Sequence, residues 1–262
     1  MLPALWVSKT GLSAQDMNLS VISNNLANVS TTGFKRDRAE FQDLLYQNQR
    51  RVGSTSSDAG TIVPSGIQIG AGVKTGAVYR INEQGNLSVT DNALDLAVNG
   101  QGYFQITLPD GDTAYTRAGS FQINAEGTVV TADGYTVQPG IVVPADAVDI
   151  TVNGSGEVQV KLDGQIQPQV VGQIQLAVFP NEAGLEAIGS NLLLATPASG
   201  DAVPGNPSAP GYGRLVQGAL ETSNVNIVAE ITNLITAQRA YEMNSKVIST
   251  TDQMMNTTSQ LR

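Results

Sequence analysis

ALWVSKTGLSAQDMNLSVISNNLANV, residues 4–29, is the stretch on which the reading of the fold turns. Leu5, Leu12, Leu19 and Leu26 recur at every seventh position. Ile22 and Val29 fill a second column, in which Ser8 and Gln15 take the earlier places. A seven-residue repeat returns side chains to one face of an α-helix, so the spacing predicts a helix with one strong heptad column. Pro3 suits a first helical turn. Ser30-Thr31-Thr32-Gly33 ends the pattern, with Gly33 available for a left-handed turn. The pattern returns at the far end of the chain. Asn226 reads as an N-cap, Ile231 and Leu234 open a seam, and Tyr241, Ile248 and Met255 continue it every seven residues. Gln238, Ser245 and Asp252 leave its other column weak, while Glu242 and Lys246 form a favourable i, i+4 pair.

Between these ends the period changes to two. From Val73 to Gly218, apolar residues alternate at Leu94/Leu96/Val98, Phe104/Ile106/Leu108, Phe121/Ile123, Val148/Ile150/Val152 and Val158/Val160/Leu162. Asn99-Gly100, Asp110-Gly111, Glu126-Gly127, Asp133-Gly134, Asn153-Gly154 and Asp163-Gly164 separate the runs and read as hairpin turns. The middle is therefore expected to be an antiparallel sandwich or barrel-like domain. Residues 38–47 form a short amphipathic stretch through Phe41, Leu44 and Leu45, grouped with an N-terminal helical part. Lys35, Arg36 and Arg38, diluted by Asp37 and Glu40, read as a solvated helix shoulder. In residues 46–66 large apolar side chains nearly vanish, and residues 196–213 are a Pro- and Gly-rich loop. The expected fold class is α+β. Long N- and C-terminal helices pack as a coiled-coil-like core region around an antiparallel all-β middle domain. The expected parts are 1–45 (helical), 46–72 (polar, extended), 73–218 (β-rich) and 219–262 (helical).

Composition narrows the function. The chain of 262 residues has 14 basic and 23 acidic side chains, a net charge of −9, no Cys and no His. An acidic chain is a poor partner for nucleic acid, which needs clustered Lys and Arg. Without Cys there are no disulfides or thiolate metal sites, and without His there is no Ser-His-Asp or Cys-His chemistry. No apolar run reaches the ~18–20 residues of a membrane span. Leu2–Val7 followed by Lys9 is too short for a cleavable leader. Asp110-Gly111-Asp112 lacks the further oxygen ligands of a calcium loop. Gly70-Ala71-Gly72 before Lys74 lacks the spacing of a phosphate loop. Gly154-Ser155-Gly156 has no base to activate the serine. No enzyme activity, cofactor, metal or small-molecule substrate is expected.

The two seams offer few apolar residues for the length of chain they must order. Trp6, Val7, Val21, Val228, Ile235 and Val247 lie off the seams. The ends are therefore expected to be disordered in the monomer and to order on assembly against other subunits of a helical polymer, with an ordinary two-helix coiled coil that stabilises a monomer or dimer as the alternative. A secreted β-domain binding module and, more remotely, a carboxylate enzyme remain open from composition and spacing alone.

Asn24-Asn25-Leu26-Ala27-Asn28-Val29-Ser30-Thr31-Thr32-Gly33-Phe34-Lys35 resembles the N-terminal signature of bacterial flagellar axial proteins of the rod and hook. Leu220-Glu221-Thr222-Ser223-Asn224-Val225-Asn226, Gln238-Arg239-Ala240-Tyr241-Glu242 and Ser249-Thr250-Thr251-Asp252-Gln253-Met254 resemble the matching C-terminal signature. Gly100-Gln101-Gly102-Tyr103-Phe104 and Tyr115-Thr116-Arg117-Ala118-Gly119-Ser120-Phe121 resemble the β-domain that rod and hook proteins share. Length and the polar segment at 46–66 look most like distal-rod members, with a same-sized proximal rod paralogue as the nearest competitor. The resemblance implies a rigid tubular polymer in the periplasm-spanning basal-body rod, which transmits torque and surrounds an export channel. It implies a subunit exported through the flagellar type III apparatus without a cleaved signal peptide. Implied partners are copies of itself, other rod subunits, hook protein and the ring proteins around the rod. The assembly interface is expected at Leu5, Leu12, Leu19, Ile22, Asn24, Asn25, Leu26, Asn28, Val29, Ile231, Leu234, Tyr241, Ile248 and Met255. In this reading Asn24, Asn25 and Asn28, poor helix formers, hydrogen-bond across subunits, and residues 46–66 stiffen the tube.

Overall fold

The computed structural model describes residues 2–53, 65–165 and 167–260. The chain divides into two compact units that interleave in sequence. Met1–Leu26, Asp37–Tyr79 and Asn226–Arg262 form one; Ala27–Arg36 and Arg80–Val225 form the other.

The first unit contains both long helices, α1 (Leu2–Ala27) and α2 (Ile227–Gln260). Asn226 caps α2 as its residue type suggests: its side-chain oxygen accepts from the backbone N–H of Ala229 at 3.1 Å. Strand Asp37–Asp43 pairs with Val73–Arg80. A second pair, Tyr46–Arg50 with Ile67–Gly70, runs antiparallel. Residues 38–47 are thus two strands joined at Leu44–Leu45 and not an amphipathic helix. Phe41, Leu44 and Leu45 sit at helical spacing, but Ala39 and Phe41 turn inward while Arg38 and Glu40 face solvent. Pairing with the Val73–Arg80 strand selects that shorter period. Buried Asn25 reinforces the choice, because its amide meets both backbone groups of Asp37, donating to the C=O and accepting from the N–H at 2.8 Å each. Residues 54–64 of the polar segment lie outside the described residues.

The second unit is β-rich. Among the described residues its largest sheet has nine strands and turns on Tyr103–Thr107, which pairs antiparallel with Thr113–Thr116, Thr136–Val137 and Leu176–Val178. Ala147–Val152, Glu157–Leu162 and Gln169–Gln173 form a three-stranded antiparallel sheet. Phe104, Ile106, Val98, Val137, Val160 and Leu176 make a fully buried core. The opposite pleat of the same strands carries a second cluster, in which Tyr103 and Tyr115 pack edge-on to Phe179. Both faces are covered, and so Ala97 is as buried as Val98. The Asp110-Gly111, Glu126-Gly127, Asp133-Gly134 and Asp163-Gly164 turns all place glycine at positive φ, as tight antiparallel turns require. Asn99-Gly100 differs. Leu96–Asn99 pairs with Arg214–Gln217, not with the strand that follows it, so this pair marks a corner. The 196–213 segment contains one short strand, Val203–Gly205.

Candidate functional site

Two features stand out, one in each unit. The first is the surface of the helices. On α1, Ile22 is buried with Ser8, Ala14, Val21 and Asn25, while Leu5, Leu12, Leu19 and Leu26 are half-buried and Asn24 is exposed; Asn28 and Val29, in the turn that follows α1, are half-buried. On α2, Leu234, Ile248 and Met255 are half-buried, but Ile231 and Tyr241 remain exposed. The sheltered partner column is Glu230, Ala237, Asn244 and Thr251. It lies one residue before the Gln238, Ser245 and Asp252 column inferred from spacing. Either column is compatible with a heptad; what lies beside the helix decides. There Gly11 approaches Asn244 so closely that a Cβ would come within 3.0 Å of the amide nitrogen. Asn25 uses its amide on Asp37, Asn24 reaches the Asp37 carboxylate at 3.4 Å, and the Asn28 oxygen accepts from the Thr31 hydroxyl at 3.1 Å. Trp6, Val7, Met17, Ile227, Val228 and Ile235 are all exposed.

The second feature is a buried ionic node, which spacing along the chain did not reveal. Glu221 is fully buried and carries two ion pairs, one to the Lys35 ammonium and one to the Arg117 guanidinium, whose Nε donates at 2.8 Å. Lys35 also donates to the Glu83 carbonyl at 2.8 Å, and Arg117 to the carbonyls of Gly100 at 2.9 Å and Gly102 at 2.6 Å. The Glu221 carboxylate accepts a further bond from the Gly85 N–H, and its backbone C=O from the Gly33 N–H. Gly33 stands at φ +69°, where a Cβ would lie 2.7 Å from the Ala118 nitrogen, so only glycine fits. Asn224 completes the arrangement by accepting from the Arg36 N–H and donating to Ile81. Lys35 is therefore no solvated shoulder. It is a core cation whose counterion arrives 186 residues later.

Burial pushes the Lys35 amine below its usual range, against the pull of Glu221. Burial, with Glu182 beside it, holds the Tyr103 hydroxyl well above the ordinary phenol range. That hydroxyl donates to Glu182 at 3.2 Å, and the Tyr103 ring lies 5.8 Å from the Arg117 guanidinium. A cavity of about 230 Å³ borders the node, but Lys35 and Arg117, which line it, direct their donors into the node. In chemical terms the node is a clamp. Its carboxylate ties the segment after α1 to the segment before α2, through the strand corner at Gly100–Gly102. Four of the six stretches that resemble the rod and hook signatures meet in it, those that contain Lys35, Gly100, Arg117 and Glu221.

Comparison with known proteins agrees with that convergence. Family models described as "Flagella basal body rod protein", "Flagellar hook protein FlgE/F/G D1 domain" and "Flagellar basal body rod FlgEFG protein C-terminal" match residues 5–35, 97–160 and 216–261. These define the class of flagellar hook and rod proteins. The flagellar basal-body rod protein FlgG of Caulobacter vibrioides is 63% identical, over 99% of each chain. The protein of that name from Bacillus subtilis is 39% identical, over 97% of each. A flagellar hook protein FlgE from Helicobacter mustelae is 38% identical, over 53% of this chain and 30% of its own. The chain belongs to the flagellar basal-body rod protein family and is a structural subunit of the rod.

Proposed function

We propose that the chain polymerises into the distal rod, a rigid helical tube around an export channel that transmits torque to the hook. The observation that carries this reading is the exposed apolar surface on both helices, from Trp6, Val7 and Met17 to Ile227, Val228, Ile231 and Ile235. Water-facing apolar side chains in that number on two helices suit burial against neighbouring subunits. The helices pair as a coiled-coil-like inner layer and order fully on assembly. The predicted interface residues of α1 and α2 serve that layer, and the β unit forms the outer one. Neighbours are further copies, other rod subunits and hook protein, with ring proteins outside. The subunit reaches its place through the flagellar type III export apparatus. Residues 46–66 stiffen the tube.

Cryo-electron microscopy of the assembled protein tests the reading. A tube with inner helices around a channel is expected, and single particles or featureless aggregates overturn it. Deleting residues 46–66 is expected to shorten the persistence length of the tube measured from such images. An unchanged persistence length removes the stiffening role.

A further inference from the structure

Two asparagines of the β unit hold their side chains in the same way. Asn124 and Asn153 each open a tight turn, and the glycine three residues on, Gly127 or Gly156, donates its N–H to the asparagine C=O at 3.0 Å. The Asn124 side-chain oxygen accepts from the backbone N–H groups of Glu126 at 3.1 Å and Thr128 at 2.8 Å. The Asn153 oxygen accepts from those of Ser155 at 3.1 Å and Glu157 at 2.9 Å. Asparagine commonly bonds the backbone of its own turn, which accounts for Asn124 in full. Asn153 has three additions. Its oxygen takes another donor, the Ser155 hydroxyl, at 2.8 Å. Its amide nitrogen donates to the Glu157 carboxylate at 2.7 Å. The residue that follows it is an exposed glycine, Gly154, where Asn124 has Ala125.

Each addition favours the same reaction, attack of the next backbone nitrogen on the asparagine side chain. Glycine leaves that nitrogen unobstructed, since it has no Cβ. The negative charge that develops on the side-chain oxygen would meet three donors already in place, the arrangement that stabilises an oxyanion. The departing Nδ2 needs a proton, and the carboxylate bonded to it is placed to relay one. Among the described residues nothing accepts from the Gly154 N–H, while the Gly154 C=O is fixed by the Ser208 hydroxyl at 2.8 Å and the Leu215 N–H at 3.2 Å. The other Asn-Gly pair of the chain, Asn99-Gly100, lacks these features. Asn99 is held in a strand paired with Arg214–Gln217, and the Gly100 N–H is engaged by the Gln84 side chain at 3.0 Å.

We propose that Asn153 is a site of self-catalysed deamidation, with Glu157 as its proton relay. The Gly154 nitrogen bonds to Cγ of Asn153 and gives up its proton. The Cγ–Nδ2 bond breaks, and Nδ2 takes that proton through Glu157 and leaves as ammonia. The succinimide ring that remains adds a water molecule and opens to aspartate or, through its other carbonyl, to isoaspartate. No oxidant or reductant takes part. Either product places a new carboxylate beside Glu157, so that a hydrogen bond across the turn becomes a repulsion between like charges. The change runs one way and accumulates with the age of the molecule. It is independent of the polymer reading.

Peptide mapping by mass spectrometry tests this on the full-length protein, aged at neutral pH in buffer and in urea. In buffer the Asn153 peptide is expected to lose ammonia and then gain water faster than the Asn99 peptide does. It is also expected to react faster folded than in urea, because the donors and the relay exist only in the fold. Asn99 should do the opposite and speed up in urea, where Gln84 releases the Gly100 N–H. Glu157→Gln keeps an acceptor for the Asn153 amide and removes the relay. It is expected to slow Asn153 on the order of tenfold, below the ~10²–10⁴ of an enzyme's acid–base group because the turn is open to water, and to leave Asn99 unchanged. Circular dichroism checks that this variant folds; if it does not, Ser155→Ala, which takes one donor from the oxygen, is read by the same criterion. Three results each overturn the proposal: Asn153 no faster than Asn99 in buffer, Asn153 faster in urea than folded, or an unchanged rate in the variant.

Discussion

The β unit and the helical unit bury different things. The β unit encloses Phe104, Ile106, Phe121 and Leu176 almost completely and seals a three-residue ionic node beside them. The helical unit fully buries mainly small or polar side chains on its helices, Ser8, Ala14, Asn25, Glu230 and Ala237, with Val21 and Ile22, and leaves larger ones in water. Large apolar side chains taken from water are what stabilise a fold on its own. One unit closes its large apolar side chains within the chain; the other leaves many of those on its helices facing water.

The contrast can be tested at its strongest point first. Glu221→Ala leaves the Lys35 ammonium and the Arg117 guanidinium buried without their counterion. A loss of about 3–5 kcal/mol is expected in urea unfolding of the β unit. A loss below about 1 kcal/mol would mean that the node is wetter than its burial implies.

Tyr103→Phe gives a smaller, pH-dependent effect. The unfolded phenol releases its proton near pH 10.0, while the buried one holds it beyond that. Above pH 10 the folded state binds the extra proton, so wild-type stability falls as pH rises, by about 1.4 kcal/mol per pH unit from this group. Lys35, shifted the opposite way, contributes equally to both proteins. The variant should therefore lose stability less steeply between pH 10 and 11. Parallel curves would sink the assignment.

The smallest effect on stability belongs to the helices. Val228→Ser with Ile235→Ser should move the unfolding free energy of unassembled protein by no more than about 0.5 kcal/mol at each site. The same change should abolish or severely weaken polymer formation in sedimentation. A large loss of monomer stability would place these residues inside the fold instead.

Local signals carried much of the architecture into the sequence. Leu5 to Leu26 and Leu234 to Met255 mark the helices, Asn226 marks a boundary, and Asp-Gly pairs mark turns, because each acts within a few residues. What stayed hidden depends on distant partners. Phe41, Leu44 and Leu45 are helically spaced, and only the pairing of Asp37–Asp43 with Val73–Arg80, continued by backbone bonds from Leu44 and Leu45 to Gly72 and Ala71, makes the segment extended. Lys35 sits among charges and reads as solvated until Glu221 is brought to it. The sheltered column on α2 slipped by one position for the same reason. Both columns fit a heptad, and Gly11 of the other helix selects Asn244.

The clamp at Glu221 also makes the span between its two ends a cartridge. Lys35 and Glu221 close a loop with a sequence separation of 186 residues. Closure entropy grows only with the logarithm of loop length, about 0.6 kcal/mol for each doubling. The exposed Asp163-Gly164 turn lies within that span. A reporter or epitope grafted there would lengthen the cartridge while the gap between the clamped residues stays the same.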